Sequence, residues 1–159
     1  MVAVRLANPG DAAELARLRY EFRAAMNSPE EDREEFIARC ARWMEERLVE
    51  GSRWRCWVAE ADGAIAGHLW LQLIEKIPNP VPEREAHGYI TNVYVCPEAR
   101  GGGTGEALVA AAMDYCATAG VDSVILWPTE RSRPLYARHG FTEPVDILEA
   151  VLDGGRDLH

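Results

Sequence analysis

Tyr89–Gly105, YITNVYVCPEARGGGTG, is the stretch that decides the fold. Its first half is rich in β-branched and aromatic residues, which favours a strand. Cys96-Pro97 ends that strand, because proline has no N–H to give to a ladder. Arg100 follows, then glycines at Gly101, Gly102, Gly103 and Gly105. Glu106–Ala119 reads as a helix with Leu108, Ala112, Tyr115 and Ala119 on one face. A strand, a glycine-rich turn and a helix N-terminus therefore come in direct succession. Such a turn leaves backbone N–H groups bare and adds the positive end of the helix dipole, a geometry that holds an anion such as phosphate. The plain alternative is a flexible turn before an ordinary helix.

Two phosphate loops fail against these residues. A Walker loop ends in Gly-Lys-Ser/Thr, and the turn contains no lysine. A dinucleotide fingerprint needs G-x-G-x-x-G; Gly103-Thr104-Gly105 begins one, but Leu108 stands at the last glycine.

The chain has 159 residues, a length that predicts one domain over 1–159 with a sizeable core and a polar tail over 153–159. Its net charge of −9 argues against nucleic acid as a partner. The acid surplus is compatible with cationic or amine-bearing substrates. No apolar segment follows a basic start, so no signal peptide is expected. The longest apolar stretch, 64–74, is interrupted by Gly67, His68 and Gln72 and is too short for a bilayer, so no membrane partner is expected. Cys40, Cys56, Cys96 and Cys116 are scattered, with neither a C-x-x-C pair nor histidines at zinc spacing. They predict reduced thiols, a cytoplasmic location and no metal site.

Val2–Leu6 alternates as a short strand, and Asn8-Pro9-Gly10-Asp11 opens a helix with Leu15, Leu18, Phe22 and Met26 at helical spacing. Ser28-Pro29-Glu30-Glu31 carries the marks of a second helix start, with Ser28 as cap and Glu31 completing a capping box. Its inward stripe is Phe36, Ile37, Cys40, Trp43, Met44 and Leu48, and Gly51 ends it. A strand over 53–60 puts Trp54, Cys56 and Val58 on one side and Arg55, Trp57 and Ala59 on the other. Asp62-Gly63 is a hairpin turn signal before the returning strand 64–74. The proline-rich Ile77–Pro82 follows and is expected near the mouth of the site. After the long helix come Gly120 as a stop, a buried strand 123–127, a two-turn helix between Pro134 and Gly140, and a closing strand 145–152. The order β α α β β β α β α β predicts an α/β class of the α+β kind. Its sheet is mixed and mostly antiparallel, with helices on both faces.

Arg100-Gly101-Gly102-Gly103-Thr104-Gly105 fits Gln/Arg-x-x-Gly-x-Gly/Ala and resembles the acetyl-coenzyme A pyrophosphate loop of the GNAT superfamily of N-acetyltransferases. Thr104 departs from the usual Ile or Leu. Leu135-Tyr136-Ala137-Arg138-His139-Gly140-Phe141 is similar to the family's second signature, Leu-Tyr-x-x-x-Gly-Phe, and the order of elements is that of the GNAT fold. The resemblance thus covers nearly the whole chain.

It implies acetyl-coenzyme A as co-substrate, its pyrophosphate on the backbone of Arg100–Gly105 and its pantetheine arm along Val93, Tyr94 and Val95. The N–H of Val93 would face the thioester oxygen. Tyr136 would protonate the departing thiolate, a sensible donor since a phenol titrates near ~10 and a thiol near ~8.5. The family's pantetheine-binding Asn is Thr129 here, and its nearby Ala is Ser132. The family's Glu base falls at Tyr89, so the base stays open, with His87, Tyr89, Thr91, Asn92 and Glu75 as the nearby candidates; Asn92 cannot serve as a base but could orient the amine or a water. His68 and His139 are expected at the surface. The acceptor pocket of the fold implicates Phe22, Met26, Trp43, Trp54, Trp70, Trp127 and the 77–82 loop. Tryptophans in an acidic surround suit a compact cationic or aromatic amine. No cysteine or serine sits in a nucleophile setting, so direct attack on the thioester is expected.

The reaction read from this is acetylation of a primary amine of a small molecule. A protein lysine or N-terminus is the alternative acceptor, and a non-catalytic acyl-coenzyme A sensor is the alternative class. Homodimers are common in the fold.

Overall fold

Asp62 and Gly63 both have positive φ, 53° and 76°, which is the handedness a two-residue hairpin turn requires. They join β2 (Trp54–Ala61) to β3 (Ala64–Glu75) as antiparallel partners with Ala61 opposite Ala64. The computed structural model describes residues 2–153; the expected tail at 153–159 lies outside the described residues except for Asp153. β1 (Ala3–Leu6) pairs antiparallel with β2, and β4 (Ala86–Val95) antiparallel with β3. β5 (Val121–Ile125) lies parallel to β4, giving the order β1-β2-β3-β4-β5. A parallel join needs a crossover, and α3 (Thr104–Thr118) supplies it.

Period-two alternation in β2 sends its side chains to two cores. Trp57 and Ala59, with Leu69, Leu71 and Ile90, meet Leu108, Val109, Ala112 and Cys116 of α3. Tyr136 of α4 (Arg133–Arg138) joins the same cluster. On the other face Cys56, Val58 and Trp70 meet Leu15 and Ala16 of α1 (Ala12–Ala24) and Met44 of α2 (Arg33–Arg47). The mixed sheet with helices on both faces is the one the element order implies.

Four expectations are corrected. Helix α2 starts at Arg33, one turn later than Ser28 suggests: the Asp32 carboxylate accepts from the N–H groups of Glu34 and Glu35 at 3.1 and 3.2 Å. A charged acceptor caps more strongly than a hydroxyl, and Glu34 and Glu35 favour the positive helix end. The buried face of α3 runs through Cys116, while Ala119 is exposed. Residues 145–152 form no strand, and Val145, Leu148 and Leu152 are exposed. Glu149 falls in phase with Val145, Ile147 and Val151, so neither face of such a strand would be wholly apolar. The 76–85 segment folds against β5 at the far end of the sheet. There Lys76 Nζ reaches Asp122 at 3.4 Å and Arg84 Nη1 donates to the Val121 carbonyl at 2.9 Å.

Gly67 of β3 explains why Thr104 is accepted at the start of α3. A Cβ on Gly67 would stand 2.9 Å from the Tyr94 carbonyl oxygen and 3.3 Å from the Thr104 methyl carbon. The missing side chain lets the buried Thr104 seat the helix N-terminus directly on the sheet.

Candidate active site

The turn between β4 and α3 offers a row of free donors. Arg100 N–H donates to Pro97, and the first helical bond runs from Ala107 N–H to the Gly103 carbonyl. Between them, the N–H groups of Gly101, Gly102, Gly103, Thr104 and Gly105 donate to no group among the described residues. Gly101 and Gly103 hold positive φ, 81° and 84°, which side chains resist. Arg100 is fixed beside this cradle, its Nε donating to the Val95 carbonyl at 3.0 Å.

The strand leading into the cradle is open on one side. β5 pairs with β4 only as far as Tyr89, opposite Ile125. From Ile90 to Val95 no strand of the described residues covers that edge, which leaves it open to an extended ligand apart from the Val95 carbonyl that Arg100 holds. Toward β3, two residues, Asn92 and Val93, face the single Leu69 between the pairs Thr91–Trp70 and Tyr94–His68. This is a bulge, and Asn92 carries it at φ 52°.

Two side chains hold the bulge. Arg19 of α1 donates from Nη1 to Asn92 Oδ1 at 3.1 Å, and His68 donates from Nδ1 to the Asn92 carbonyl at 2.9 Å. That bond places the His68 proton on Nδ1, since a carbonyl can only accept. His68 Nε2 is buried without a partner among the described residues.

Helix α4 is brought to the cradle by its own contacts. A Cβ on Gly105 would lie 3.4 Å from Leu135 and 4.0 Å from Val95. Glu106, in the first turn of α3, accepts from Arg138 Nε at 2.6 Å and bonds His139 Nε2 at 2.6 Å. His139 first and Arg138 second hold the Glu106 carboxyl below its usual range, so its charge is compensated beside an anion cradle. Tyr136 is 7% exposed, its ring edge-on to Phe141 at 5.6 Å between centroids. Burial raises its pKa, which keeps the phenol protonated at neutral pH.

Across the sheet lies a cavity of about 410 Å³ between α1, α2 and β4. Trp43 and Trp54 meet edge-on at 5.1 Å, and Trp70 lies 5.9 and 6.1 Å from them. Tyr89, Thr91 and Asn92 line the side toward β4, and Arg19 lies with them.

Residues 15–141 match the Acetyltransferase (GNAT) family. The chain belongs to the GNAT family. It is 36% identical over 110 residues to a mycothiol acetyltransferase of Beutenbergia cavernae, covering 64% of this chain and 34% of that protein. A mycothiol acetyltransferase of Amycolatopsis mediterranei is 33% identical over 91 residues, covering 54% of this chain and 29% of that protein. The chain thus spans about a third of the length of these curated relatives. Among solved structures, a GCN5-related N-acetyltransferase from Ralstonia eutropha JMP134 aligns with TM-score 0.71 at 31% identity, covering 95% of this chain and 99% of that one. A predicted acetyltransferase from Clostridium acetobutylicum, solved with acetyl-CoA, shares the fold with TM-score 0.76 at 23% identity, covering 96% and 97% of the two chains.

Within this GNAT frame the residues singled out in the sequence separate. Trp54, Tyr89 and Asn92 line one cavity with Trp43 and Trp70. Trp127 is not among the residues that line it; its ring meets Tyr89 edge-on at 5.3 Å. His87 sits on β4 opposite Ser123 of β5, its Nδ1 2.8 Å from Ser123 Oγ, and Glu75 is exposed and paired with Arg53 at 3.0 Å. Phe22 stacks on Tyr94 at 5.0 Å, and Met26 is exposed. Thr129 and Ser132 bond each other through their hydroxyls at 3.0 Å, shaping the entry to α4. The 77–82 loop does not border this cavity.

The histidines and the charge of the cavity correct the sequence reading. His68 is fully buried, because β3 is a central strand covered on both faces; a histidine inside the apolar run 64–74 was the available signal. His139 is partly buried against Glu106 rather than a free surface residue. The acid surplus does not reach the cavity, whose walls hold Arg19 and Arg39 and no carboxylate among the described residues.

Burial lowers the His68 pKa to about 4, more than the Asn92 bond raises it. The unfolded imidazole takes its proton near ~6.5, the folded one only near the lower value. Stability from this group is therefore complete above the unfolded value and declines as pH falls toward the folded one, by about 3 kcal/mol at most. Urea unfolding across that window should show a steeper acid loss for the wild type than for His68→Gln, in which the amide can still donate to Asn92. Parallel profiles would refute a neutral buried His68.

Proposed function

We propose that the chain transfers an acetyl group from acetyl-coenzyme A to a primary amine of a small molecule, by direct attack within a ternary complex in the cytoplasm. The observation that carries this reading is the run of unpartnered N–H groups from Gly101 to Gly105, at the end of the open edge of β4. Such a run suits a pyrophosphate, and the open edge suits the amide-bearing pantetheine arm along Val93, Tyr94 and Val95. Fixed donors placed where charge develops are the main means of lowering an acyl-transfer barrier. The Val93 N–H is the donor proposed for the thioester oxygen, and Tyr136 the acid that protonates the departing thiolate.

Direct attack is supported by the thiols. Burial raises the pKa of Cys40, Cys56, Cys96 and Cys116, and a protonated thiol is a poor nucleophile. A small acceptor is supported by the modest volume of the cavity, about 410 Å³, and the mycothiol acetyltransferase relatives are compatible with it. Titration calorimetry with acetyl-coenzyme A, against free adenosine diphosphate as control, tests the reading. Binding of about micromolar strength for the former alone is expected, and absence of binding would overturn it.

A further inference from the structure

We infer that the acceptor is an amine that also carries a carboxylate on an apolar or aromatic frame, with Arg19 as the carboxylate's partner. The cavity walls are the first ground. A chain of net charge −9 would be expected to line most of its concavities with acids, yet this one holds two arginines and no carboxylate among the described residues.

The two arginines differ. Arg39 is exposed and already neutralised, its Nη2 2.6 Å from Glu31 Oε2. Arg19 is half-buried, and no carboxylate of the described residues pairs with it; its hydrogen bond goes to the neutral Asn92 amide. Burial, with Arg23 adding repulsion, lowers its pKa, so the guanidinium stands in want of an anion.

The neighbouring polar groups are also donors. Because Arg19 can only donate, Asn92 Oδ1 must face it, which leaves the Asn92 NH₂ without an acceptor among the described residues. Trp70 lines the cavity with its ring, and its indole N–H is buried with no acceptor among the described residues. The flat guanidinium fork of Arg19 beside the spare Asn92 NH₂ fits a planar carboxylate, which the fork can grip by two bonds. The Trp43, Trp54 and Trp70 rings offer an apolar bed for the rest of the molecule. Asn92 directly precedes Val93, so a carboxylate on Arg19 lies close along the chain to the reacting end. An aromatic α-amino acid, with its amine one carbon from its carboxylate, meets all these demands.

This rests on the acetyltransferase reading for the reaction but not for the binding, so the two are tested apart. Binding of N-acetyl-L-phenylalanine and of its neutral amide to the full chain is followed by tryptophan fluorescence. Turnover of L-phenylalanine and of phenethylamine is followed with acetyl-coenzyme A by thiol release. The acid should bind at least about tenfold more tightly than the amide, the scale of one charge-assisted bidentate contact. Arg19→Met should erase that preference, and Arg19→Lys should keep part of it. Equal binding of acid and amide in the wild type, or binding of neither, overturns the inference. Preference for the acid without turnover of either amine would leave the carboxylate site standing and remove the acetyltransferase reading.

Discussion

Tyr136→Phe is expected to lower turnover by about a hundredfold or more, the range of a lost general acid, while acetyl-coenzyme A affinity stays within about tenfold. The substitution removes a single oxygen. The ring keeps its place in the core and its edge-on contact with Phe141 at 5.6 Å, so unfolding should be little changed. The hydroxyl donates to no group among the described residues, which leaves it free to serve a ligand. Burial holds the phenol protonated, and a protonated phenol is the form a leaving thiolate needs. Steady-state kinetics beside calorimetry separates the two quantities. Unchanged turnover would remove Tyr136 from the chemistry.

Gly103→Val is expected to weaken acetyl-coenzyme A binding by about a hundredfold, the scale of two lost hydrogen bonds to a charged group. Gly103 holds φ 84°, and a Cβ there would meet nothing within 4 Å. The cost is therefore backbone strain rather than collision, about 1–2 kcal/mol for leaving a residue left-handed and more when it is β-branched. The chain can relieve that strain by rotating the peptides on either side, which turns the N–H groups of Gly103 and Thr104 away from a common point. Thermal melting should remain cooperative while calorimetry records the loss. Retained affinity would show that the ligand does not rest on this turn.

Much of this was legible in the residues because it depends on local rules. Asp62-Gly63 adopts its hairpin turn for want of a Cβ at Gly63, whatever surrounds it. Gly101 and Gly103 take left-handed backbone for the same reason, and Pro97 and Gly140 close their elements by missing a donor or a side chain. The Leu-Tyr-x-x-x-Gly-Phe run announced α4 and its tyrosine. Thr104, which departs from the family's residue, became intelligible only beside Gly67, a contact across 37 positions of chain.

The start of α2 and the segment 145–152 depart from the sequence expectation because two local signals compete there. Asp32 outbid Ser28 as a cap, and Glu149 spoiled an otherwise apolar alternation.

The sequence by itself determined the order of elements as far as α4, the glycine cradle and the tyrosine that follows it, since backbone conformation and hydrophobic period are properties of neighbours in the chain. Tertiary structure alone decided which polar groups were taken out of water. It buried His68 against the Asn92 carbonyl, placed Arg19 opposite the Asn92 side chain, and gathered three tryptophans around a cavity that no acid of the described residues lines. Composition could not foresee this, because a net charge sums over the whole surface whereas a substrate meets only the charges that folding leaves beside it.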